Sequence, residues 1–440
     1  MTDKILKFLE KDNVFLSGGA GVGKSYLTLE VKKTYKNKGK NVVALGSSAI
    51  SALNIGGVTL HSFFALGRCL NFDELMVYDR KQKDKLIKLR KILKKTHLII
   101  IDEISMVSAS VFEMIYYRLK NSEFDGKLLV VGDFFQLPPV VKTEDKSLFT
   151  QGFYAFDSFA WRDFAFINLG LNNAKRTNNI QFYSHLSALR KGFLDEEIVS
   201  YFQNFITQEI GLNNDYTLLC GINKKADLIN EQELEKLHSK PIILKSKLIK
   251  IDEKLDDFIL INWVKSLNVA EELKVKIGAK IIFCINNFDT GYYNGEQGII
   301  SDIIEQEDQI YLKIRKSNNQ EIILEPYAFA LEELNLQEDK IDEQIRAKMI
   351  QFPIKLAYAI TIHKSQGMSI EKLICDIDNI FENGQLYVAL SRAIDPNFLR
   401  IFYSKNMDFK LYFKQILKFD IKVLEFYKQT HFLNLEEGII

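Results

Sequence analysis

A glycine-rich loop, GGAGVGKS, occupies Gly18–Ser25 and fits the pattern GxxxxGK[ST] between an apolar run and a helical pattern. Glycines in such a loop let backbone N–H groups wrap the β-phosphate of a nucleotide, and the positive N-terminal end of the following helix adds to the attraction. Lys24 brings a positive charge to the β- and γ-phosphates, and Ser25 offers an oxygen ligand to Mg²⁺. A chance glycine-rich turn would not explain this strand–loop–helix context, so the loop predicts an ATP site. The residues expected at that site are Gly19, Ala20, Gly21, Val22, Gly23, Lys24, Ser25 and Tyr26.

Two acids and a glutamine follow the ends of later apolar runs. Asp102 and Glu103 end LIIIDE, and Gln136 lies in GDFFQLPPV. Asp102 suits outer-sphere binding of Mg²⁺, and Glu103 suits orientation and deprotonation of an attacking water. Gln136 suits a hydrogen bond to the γ-phosphate or to that water. A solvated pair of acids and a plain proline turn are the alternatives, but a phosphate loop without such an acid would be incomplete.

Two arginines lie far from the loop in sequence, Arg176 in NNAKRTNN and Arg392 in GQLYVALSRA. Hydrolysis spreads negative charge over the γ-phosphate oxygens, and an arginine that neutralises this charge accelerates the reaction by about 10³–10⁵. That factor corresponds to roughly 4–7 kcal/mol. Taken singly, each arginine is better explained as a surface residue. Together with the other motifs, they are interpreted as arginine fingers from a second domain.

Apolar runs alternate with helical patterns up to about residue 160, which predicts a doubly wound α/β domain with parallel strands. The predicted strands are NVFLSG, NVVALG, HLIIIDE and KLLVVGD. Residues 79–96, DRKQKDKLIKLRKILKKT, are predicted to form one basic amphipathic helix. Such a charge run is more typical of a solvated face than of a DNA clamp.

The alternation resumes near residue 161, with helices expected at 180–191 and 223–238. Residues 242–325 instead carry short alternating strands and turn residues. Helix and strand patterns return at 353–403, so the sequence predicts a second α/β domain interrupted by a β-rich insert. The tail, DFKLYFKQILKFDIKVLEFYKQ, is helical and aromatic-rich. It either docks on the second domain or forms a partner surface, and we favour docking.

The charge balance is nearly even, since 58 Lys and Arg against 57 Asp and Glu give a net charge of +1. This excludes the uniformly basic surface of a simple nucleic-acid binder. The 4 cysteines are far apart and form no CxxC pair, which argues against a zinc site and a disulfide framework and fits a reducing cytoplasm. No apolar run approaches the roughly 18 residues of a membrane span, and the charged N-terminus is unlike a signal peptide.

The motifs also occur in an order typical of superfamily 1B DNA helicases. In sequence order they are GGAGVGKS, ALNIGGVTLHSFF, IIIDEISMV, VVGDFFQLPPV, ITIHKSQGMS and GQLYVALSRA. The chain therefore resembles the Pif family, which is similar to RecD-type enzymes, over nearly its whole length. TLHSFF, GDFFQLPPV, TIHKSQG and GQLYVALSRA are highly specific in combination.

The resemblance implies two RecA-like domains, an ATP site between them, and 5′-to-3′ translocation on single-stranded DNA. By position, the resemblance implies a first RecA-like domain at 1–64 and 92–160, with a wedge insert at 65–91. It also implies a second RecA-like domain at 161–241 and 350–440, with an SH3-like β insert at 242–349. The implied cofactors are ATP and Mg²⁺. The implied partners are single-stranded DNA and DNA junctions, engaged by a monomer in the cytoplasm at the nucleoid.

Site residues are carried over by position within the matching motifs. The catalytic set is Lys24, Glu103, Gln136, Arg176 and Arg392. Ser25 and Asp102 are the implied metal ligands, and Gly367 in HKSQG is expected near the γ-phosphate. The residues implied along the DNA path are Ser47, Ser48, Thr59, His61, Phe63, Phe134, Pro138, Asn286, His363 and Lys364.

Structural roles compete with DNA binding at several of these positions. His61 and His363, taken singly, are better explained as core or turn histidines, although their motif context favours DNA. Phe63 and Phe134 either stack bases, worth about 1–3 kcal/mol each, or belong to the core. Of the phenylalanines at 63, 64, 134 and 135, we expect at least half to be buried.

The sequence departs from the family pattern at two informative places. No glutamine precedes Gln82, so the family's adenine-reading glutamine has no counterpart, and Thr177 stands where a glutamine usually follows Arg176. Three other functions remain open besides a helicase. They are a RecD-like motor subunit of a larger complex, an ATP-gated remodelling protein that does not unwind, and, more remotely, a small-molecule kinase.

Overall fold

The computed structural model describes residues 1–139, 153–210, 216–267, 269–287, 289–307 and 309–436. The chain forms two compact units, each built from separate stretches of sequence. Unit 1 comprises 1–175, 332–345 and 419–440, and unit 2 comprises 176–331 and 346–418. In the described ranges, no helix is both long enough and apolar enough to cross a bilayer.

The N-terminal part of the chain alternates strands with helices. Its elements are α1 (Thr2–Leu9), β1 (Val14–Gly18), α2 (Lys24–Asn37), β2 (Val42–Gly46), α3 (Ala49–Asn54), β3 (Val58–Thr59), α4 (Leu60–Phe63), α5 (Phe72–Asp79), α6 (Lys83–Lys95), β4 (Leu98–Asp102), α7 (Ala109–Asn121), β5 (Lys127–Gly132), α8 (Phe159–Phe164) and β6 (Ile167–Leu171).

The remaining elements begin with helices and then become rich in strands. They are α9 (Ile180–Arg190), α10 (Glu196–Gln203), β7 (Ile206–Thr207), β8 (Thr217–Cys220), α11 (Asn223–Glu235), β9 (Ile242–Lys245), β10 (Lys247–Lys250), α12 (Asp257–Ser266), β11 (Glu272–Val275), β12 (Lys280–Phe283), β13 (Gln297–Gln306), β14 (Gln309–Lys316), β15 (Glu321–Leu324), β16 (Tyr327–Gln337), β17 (Lys340–Gln351), β18 (Ile354–Leu356), β19 (Ala359–Thr361), β20 (Leu373–Asp376), α13 (Gln385–Leu390), β21 (Leu399–Phe402), α14 (Phe409–Ile416), α15 (Ile421–Gln429) and β22 (Leu433–Asn434).

A seven-stranded sheet in the order β22-β6-β1-β5-β4-β2-β3 forms the centre of unit 1. Every pairing in it is parallel. Strands β1, β2 and β4 are buried along their whole length, as expected when helices cover both faces of a parallel sheet. The doubly wound α/β prediction is confirmed. In this arrangement the carboxyl ends of β1, β5 and β4 lie side by side at one edge.

Unit 2 has its own parallel sheet, in the order β19-β8-β20-β21-β7. The β-rich stretch folds into separate antiparallel pieces, the largest of which has the order β15-β14-β13-β12-β18. A β-rich insert within a second α/β domain is therefore what the structure contains, and the SH3-like description of it stays a prediction.

The predicted domain boundaries need three corrections. Strand β6 pairs with β1, so unit 1 continues to Lys175 rather than ending at 160. The tip of the β16–β17 hairpin, 332–345, belongs to unit 1, where Leu334 is buried in the core. The tail is divided: α14 lies in unit 2, but α15 and β22 lie in unit 1 because β22 pairs with β6.

The basic stretch 79–96 is not one helix. Helix α5 ends at Asp79, and α6 begins only at Lys83. The break is fixed by Gln82, whose side-chain amide donates to the carbonyl of Ala65 at 2.8 Å and to the Asp79 carboxylate at 3.0 Å. Hydrophobic periodicity alone does not reveal such a polar interruption.

Candidate active site

The phosphate loop joins the end of β1 to the start of α2. Gly23 has φ of +93°, in the left-handed region that favours glycine. A Cβ at Gly18 would lie 2.7 Å from the carbonyl oxygen of Leu171, so the neighbouring strand end also requires glycine there. The Lys24 ammonium donates to the carbonyls of Gly18 at 2.6 Å and Gly19 at 2.9 Å. The loop thus holds its own cation where a phosphate group would need it.

A backbone contact that the sequence did not indicate braces this loop. The N–H of Lys175 donates to the carbonyl oxygen of Gly21 at 2.7 Å. Lys175 follows β6, the strand that pairs with β1. Backbone contacts of this kind leave no residue-type signal, so only the fold reveals them.

The acidic pair sits at the carboxyl end of β4. Asp102 is buried, and its Oδ1 accepts the N–H of Glu103 at 2.9 Å. Burial and then the neighbouring Glu103 raise the pKa of Asp102 to about 7, while the nearby Lys24 charge opposes this shift. Glu103 has φ of +54°, a strained value for this residue type. Strain of this kind persists where the surroundings enforce it, often at functional sites.

The donors present fit a magnesium ion. Mg²⁺ prefers oxygen ligands and usually takes only one or two from protein side chains, the rest coming from water and phosphate. Asp102 supplies a buried carboxylate whose charged form is disfavoured by its surroundings, so a nearby cation would stabilise it. Ser25, an exposed residue in the first turn of α2, supplies a hydroxyl oxygen.

Gln136 lies in the turn that leaves β5, the strand between β1 and β4. Its backbone N–H donates to the Asp133 carbonyl at 2.9 Å, and its side-chain amide lies 3.4 Å from Asp133 Oδ2. The other carboxylate oxygen of Asp133 accepts the N–H of Phe135 at 3.2 Å. The fully buried Asp133 therefore organises the turn, a role the sequence analysis missed although the residue directly follows an apolar strand.

The phosphate loop, Asp102, Glu103 and Gln136 are thus brought together at one sheet edge of unit 1.

The two arginines belong to unit 2. Arg392 is buried, and its guanidinium donates to the carbonyls of Val388 at 3.0 Å and of Ser365 and Met368 at 3.4 Å. Arg176 donates to the carbonyl of Ser391 at 2.7 Å. Neither is a loose surface side chain, which was the competing explanation.

Arg392 also organises the HKSQG segment. Ser365 and Met368, whose carbonyls it binds, flank Gly367, which has φ of +78°. Within the same segment, Nε2 of His363 lies 3.0 Å from Oε2 of Glu382, and Lys364 is exposed. The motif is thus a tight turn with an exposed lysine.

Several predicted DNA contacts are accessible in the structure. His61 and Asn286 are exposed, and Thr59 and Pro138 are half-buried. The Asn286 side chain also accepts the N–H of Asn294 at 2.9 Å. Val140, at the end of GDFFQLPPV, lies outside the described residues.

Phe63 and Phe134, predicted to stack on bases, are both buried in unit 1, and base stacking by them stays a prediction. Phe63 packs edge-on against Phe64 with ring centroids 4.9 Å apart, and Phe134 is 1% exposed within a cluster of aromatic rings. Phe135 is buried as well. All four phenylalanines of these motifs are buried in the unit 1 core.

The serines before α3 also have structural roles. The Ser48 hydroxyl accepts the Ser51 N–H at 3.2 Å and caps α3 in a capping box. The Ser48 hydroxyl also lies 3.1 Å from the Ser51 hydroxyl, which itself donates to the Ser48 carbonyl at 3.0 Å. Ser47 is half-buried, and its hydroxyl oxygen is enclosed without a protein partner. Phosphate binding by Ser47 and Ser48 stays a prediction.

Comparison with known proteins gives consistent matches. The family model described as PIF1-like helicase matches residues 3–198. The ATP-dependent DNA helicase Pif1 of Campylobacter jejuni is 59% identical over 441 residues, covering 99% of both chains.

Solved structures match over the same length. The crystal structure of Bacteroides sp Pif1 in complex with ADP-AlF4 has a TM-score of 0.82 and 27% identity, covering 97% of this chain and 95% of that one. Bacteroides Pif1 bound to ssDNA has a TM-score of 0.66 at the same identity and coverage. The likeness includes the two RecA-like domains predicted from the sequence.

Proposed function

Because this chain belongs to the PIF1-like helicase family, we propose that it is an ATP-dependent DNA helicase. It translocates 5′-to-3′ along single-stranded DNA and unwinds duplex or structured DNA. One observation carries the proposal: the phosphate loop, the Asp102–Glu103 pair and the Gln136 turn follow neighbouring parallel strands. That placement suits phosphoryl transfer, in which catalysis is almost entirely positioning and charge stabilisation.

The residues of unit 1 divide the work of ATP hydrolysis. Lys24 would exchange its loop carbonyls for phosphate oxygens, and Ser25 and Asp102 would hold Mg²⁺. When bound, the metal neutralises charge on the phosphates. Glu103 orients and deprotonates the attacking water, and Gln136 hydrogen-bonds that water or the γ-phosphate. Adenine recognition is not assigned to any residue.

Arg176 and Arg392 act as arginine fingers in this proposal, and Gly367 approaches the γ-phosphate. The support is their position in the family motifs and the hydrogen bonds that hold both guanidinium groups in unit 2. A finger supplied by one unit to a nucleotide bound by another couples hydrolysis to conformational change.

The DNA path includes His61, Asn286, His363 and Lys364, which keep exposed or half-exposed side chains. Ser47, Ser48, Thr59 and Pro138 complete the proposed set. Contacts from such side chains to phosphates position a strand without reading its sequence. The proposed partners are single-stranded DNA and DNA junctions, bound by a monomer at the nucleoid. Separation of each base-pair step costs about 1.4 kcal/mol on average, which the ATPase cycle must supply.

Strand displacement tests the proposal directly. Duplexes with a 5′ tail, a 3′ tail or blunt ends are incubated with ATP and Mg²⁺, and Lys24→Ala serves as the inactive control. Separation of the 5′-tailed duplex alone supports it. A 3′-tail preference overturns the polarity, and DNA-stimulated hydrolysis without separation on any substrate indicates a remodelling ATPase instead.

A further inference from the structure

Tyr427 of α15 is held rigidly against the turn that carries Gln136. Its ring stacks on Phe135 with centroids 4.6 Å apart and planes 17° apart. On the tail side it stacks on Phe432 at 5.3 Å and 19°. A ring stacked against two others has little rotational freedom, so the position of its hydroxyl is well defined.

That hydroxyl meets the ends of two neighbouring strands. It lies 2.7 Å from the Ser17 hydroxyl, at the end of β1, and accepts the N–H of Phe134 at 3.2 Å. It also lies 3.5 Å from Oδ1 of Asp133, to which it can donate. The strand ladder already aligns Ser17 with Gly132. The Tyr427 hydroxyl adds a side-chain link between Ser17 and Asp133. These residues lie where the phosphate loop and the Gln136 turn begin.

Each contacted residue lies close in sequence to a group at the proposed ATP site. Ser17 precedes Gly18, whose carbonyl accepts the Lys24 ammonium. Asp133 holds the amide and backbone of Gln136. One hydroxyl therefore connects the strand that leads into the phosphate loop with the turn that carries Gln136.

We propose that Tyr427 is a positioning residue for ATP hydrolysis, supplied by the C-terminal tail. It fixes the Gln136 turn relative to the phosphate loop, so it acts on turnover more than on nucleotide affinity. The inference rests on the proposed roles of Lys24 and Gln136. The competing explanation is that Tyr427 only docks the tail, which would affect stability but not the chemistry.

Tyr427→Phe separates these explanations because it keeps both ring stacks and removes only the hydroxyl. Tyr116→Phe is the matched control, since Tyr116 donates to the Asp163 carboxylate at 3.0 Å on the surface of unit 1. A hydrogen bond is worth about 0.5–1.5 kcal/mol, and 1.36 kcal/mol is tenfold in rate. We expect kcat for DNA-stimulated hydrolysis to fall about tenfold in Tyr427→Phe, with KM for ATP changed less than about twofold. Tyr116→Phe should keep both constants.

A double-mutant cycle with Ser17→Ala tests the link itself. If the two hydroxyls act together, the double variant loses no more turnover than the worse single variant. Effects that multiply overturn the inference, as does normal kcat in Tyr427→Phe. A loss of thermal stability with unchanged kcat also overturns it, because that is the signature of tail docking alone.

The proposed function fails by a different result. If Lys24→Ala retains wild-type DNA-stimulated hydrolysis, the assignment of the ATP site falls, whatever Tyr427→Phe does. If Lys24→Ala is inactive and Tyr427→Phe is normal, only the role of Tyr427 is lost.

Discussion

Replacement of Arg118 should strongly destabilise unit 1, although no sequence motif contains this residue. It lies on α7 and forms a two-pronged ion pair with Asp79 at the end of α5, with both N···O distances 2.6 Å. It also donates to the carbonyls of Phe64 at 2.9 Å and Ala65 at 3.3 Å. One guanidinium therefore joins α7, α5 and the segment after TLHSFF, which is the base of the proposed wedge.

The burial of this pair sets the expected magnitude. The side chains of Arg118 and Asp79 are only 5% and 15% exposed. Burial alone would raise the pKa of Asp79, but hydrogen bonds from Arg118 and Gln82 outweigh it and hold that pKa below its usual value. Removing one partner of such a pair leaves the other charge buried and typically costs about 3–5 kcal/mol. Arg118→Met should therefore destabilise unit 1 by that amount.

The free energy of unfolding is measured by urea titration. Because the two units need not unfold together, hydrogen exchange of peptides that cover residues 72–82 reports on unit 1 separately. Lys94→Met is the control, because its pair with Glu123 is exposed to solvent and should contribute little to stability. Arg118→Met with Asp79→Leu should recover much of the loss, as replacement of both buried charges often does. If Arg118→Met costs no more than Lys94→Met, the buried ion pair does not stabilise this part of unit 1.

Three further predictions concern single side chains. Lys24→Ala should abolish nucleotide binding or turnover, and measurable wild-type turnover would contradict the phosphate-loop assignment. Arg392→Ala should still bind ATP but hydrolyse it about 10³-fold more slowly, as measured by nucleotide affinity and single-turnover rates; normal DNA-stimulated turnover would exclude a finger. Burial lowers the pKa of Lys355 to about 8, and its ammonium has no hydrogen-bond partner. Its folded form therefore binds fewer protons than the unfolded chain between about pH 8 and 10.5, so stability should rise with pH over that range. Lys355→Met should stabilise unit 2 by up to about 3 kcal/mol at pH 7, with the gain vanishing near pH 10.5. The exposed Lys245→Met should change stability by less than about 0.5 kcal/mol at either pH. An equal effect of the two substitutions in urea titrations would contradict this.

Features encoded in a few consecutive residues were predictable from the sequence. The phosphate loop and the acid pair combine a strand, a turn and a required residue type within about ten positions, and the structure has them where expected. The boundaries failed where pairing is between distant segments. The sequence of β6 suggests the start of a new α/β domain, but in the structure β6 pairs with β1. No local sequence pattern distinguishes a strand that starts a second sheet from one that joins the first.

Long-range polar contacts were equally hidden. Arg118 and Asp79 are 39 residues apart, and each reads as an ordinary charged residue on a helix. Tyr427 is 410 residues from Ser17, and its aromatic surroundings suggested only docking. The phenylalanines of the motifs were ambiguous for another reason: residue type alone does not separate a base-stacking ring from a core ring, because the difference lies in what the ring packs against in the fold.

If Arg392 is an arginine finger as proposed, its carbonyl contacts would let the same residue serve two states of the ATPase cycle. Its Nη1 contacts with Ser365 and Met368 are both 3.4 Å long, beyond the usual 2.7–3.2 Å of a good hydrogen bond. Backbone carbonyls are neutral acceptors, whereas a phosphate oxygen carries negative charge and can form a shorter, bidentate ion pair with a guanidinium. An arginine that exchanges these carbonyls for a γ-phosphate therefore gains energy and at the same time releases the turn around Gly367, which lies beside the proposed DNA contact Lys364. Hydrolysis and DNA grip would then be linked through a single guanidinium. Arg392→Lys tests the link, because it keeps the charge but not the fork: ATP should still bind, and ATP should no longer change the affinity for single-stranded DNA. If ATP still changes that affinity as in the wild type, the coupling runs through other residues.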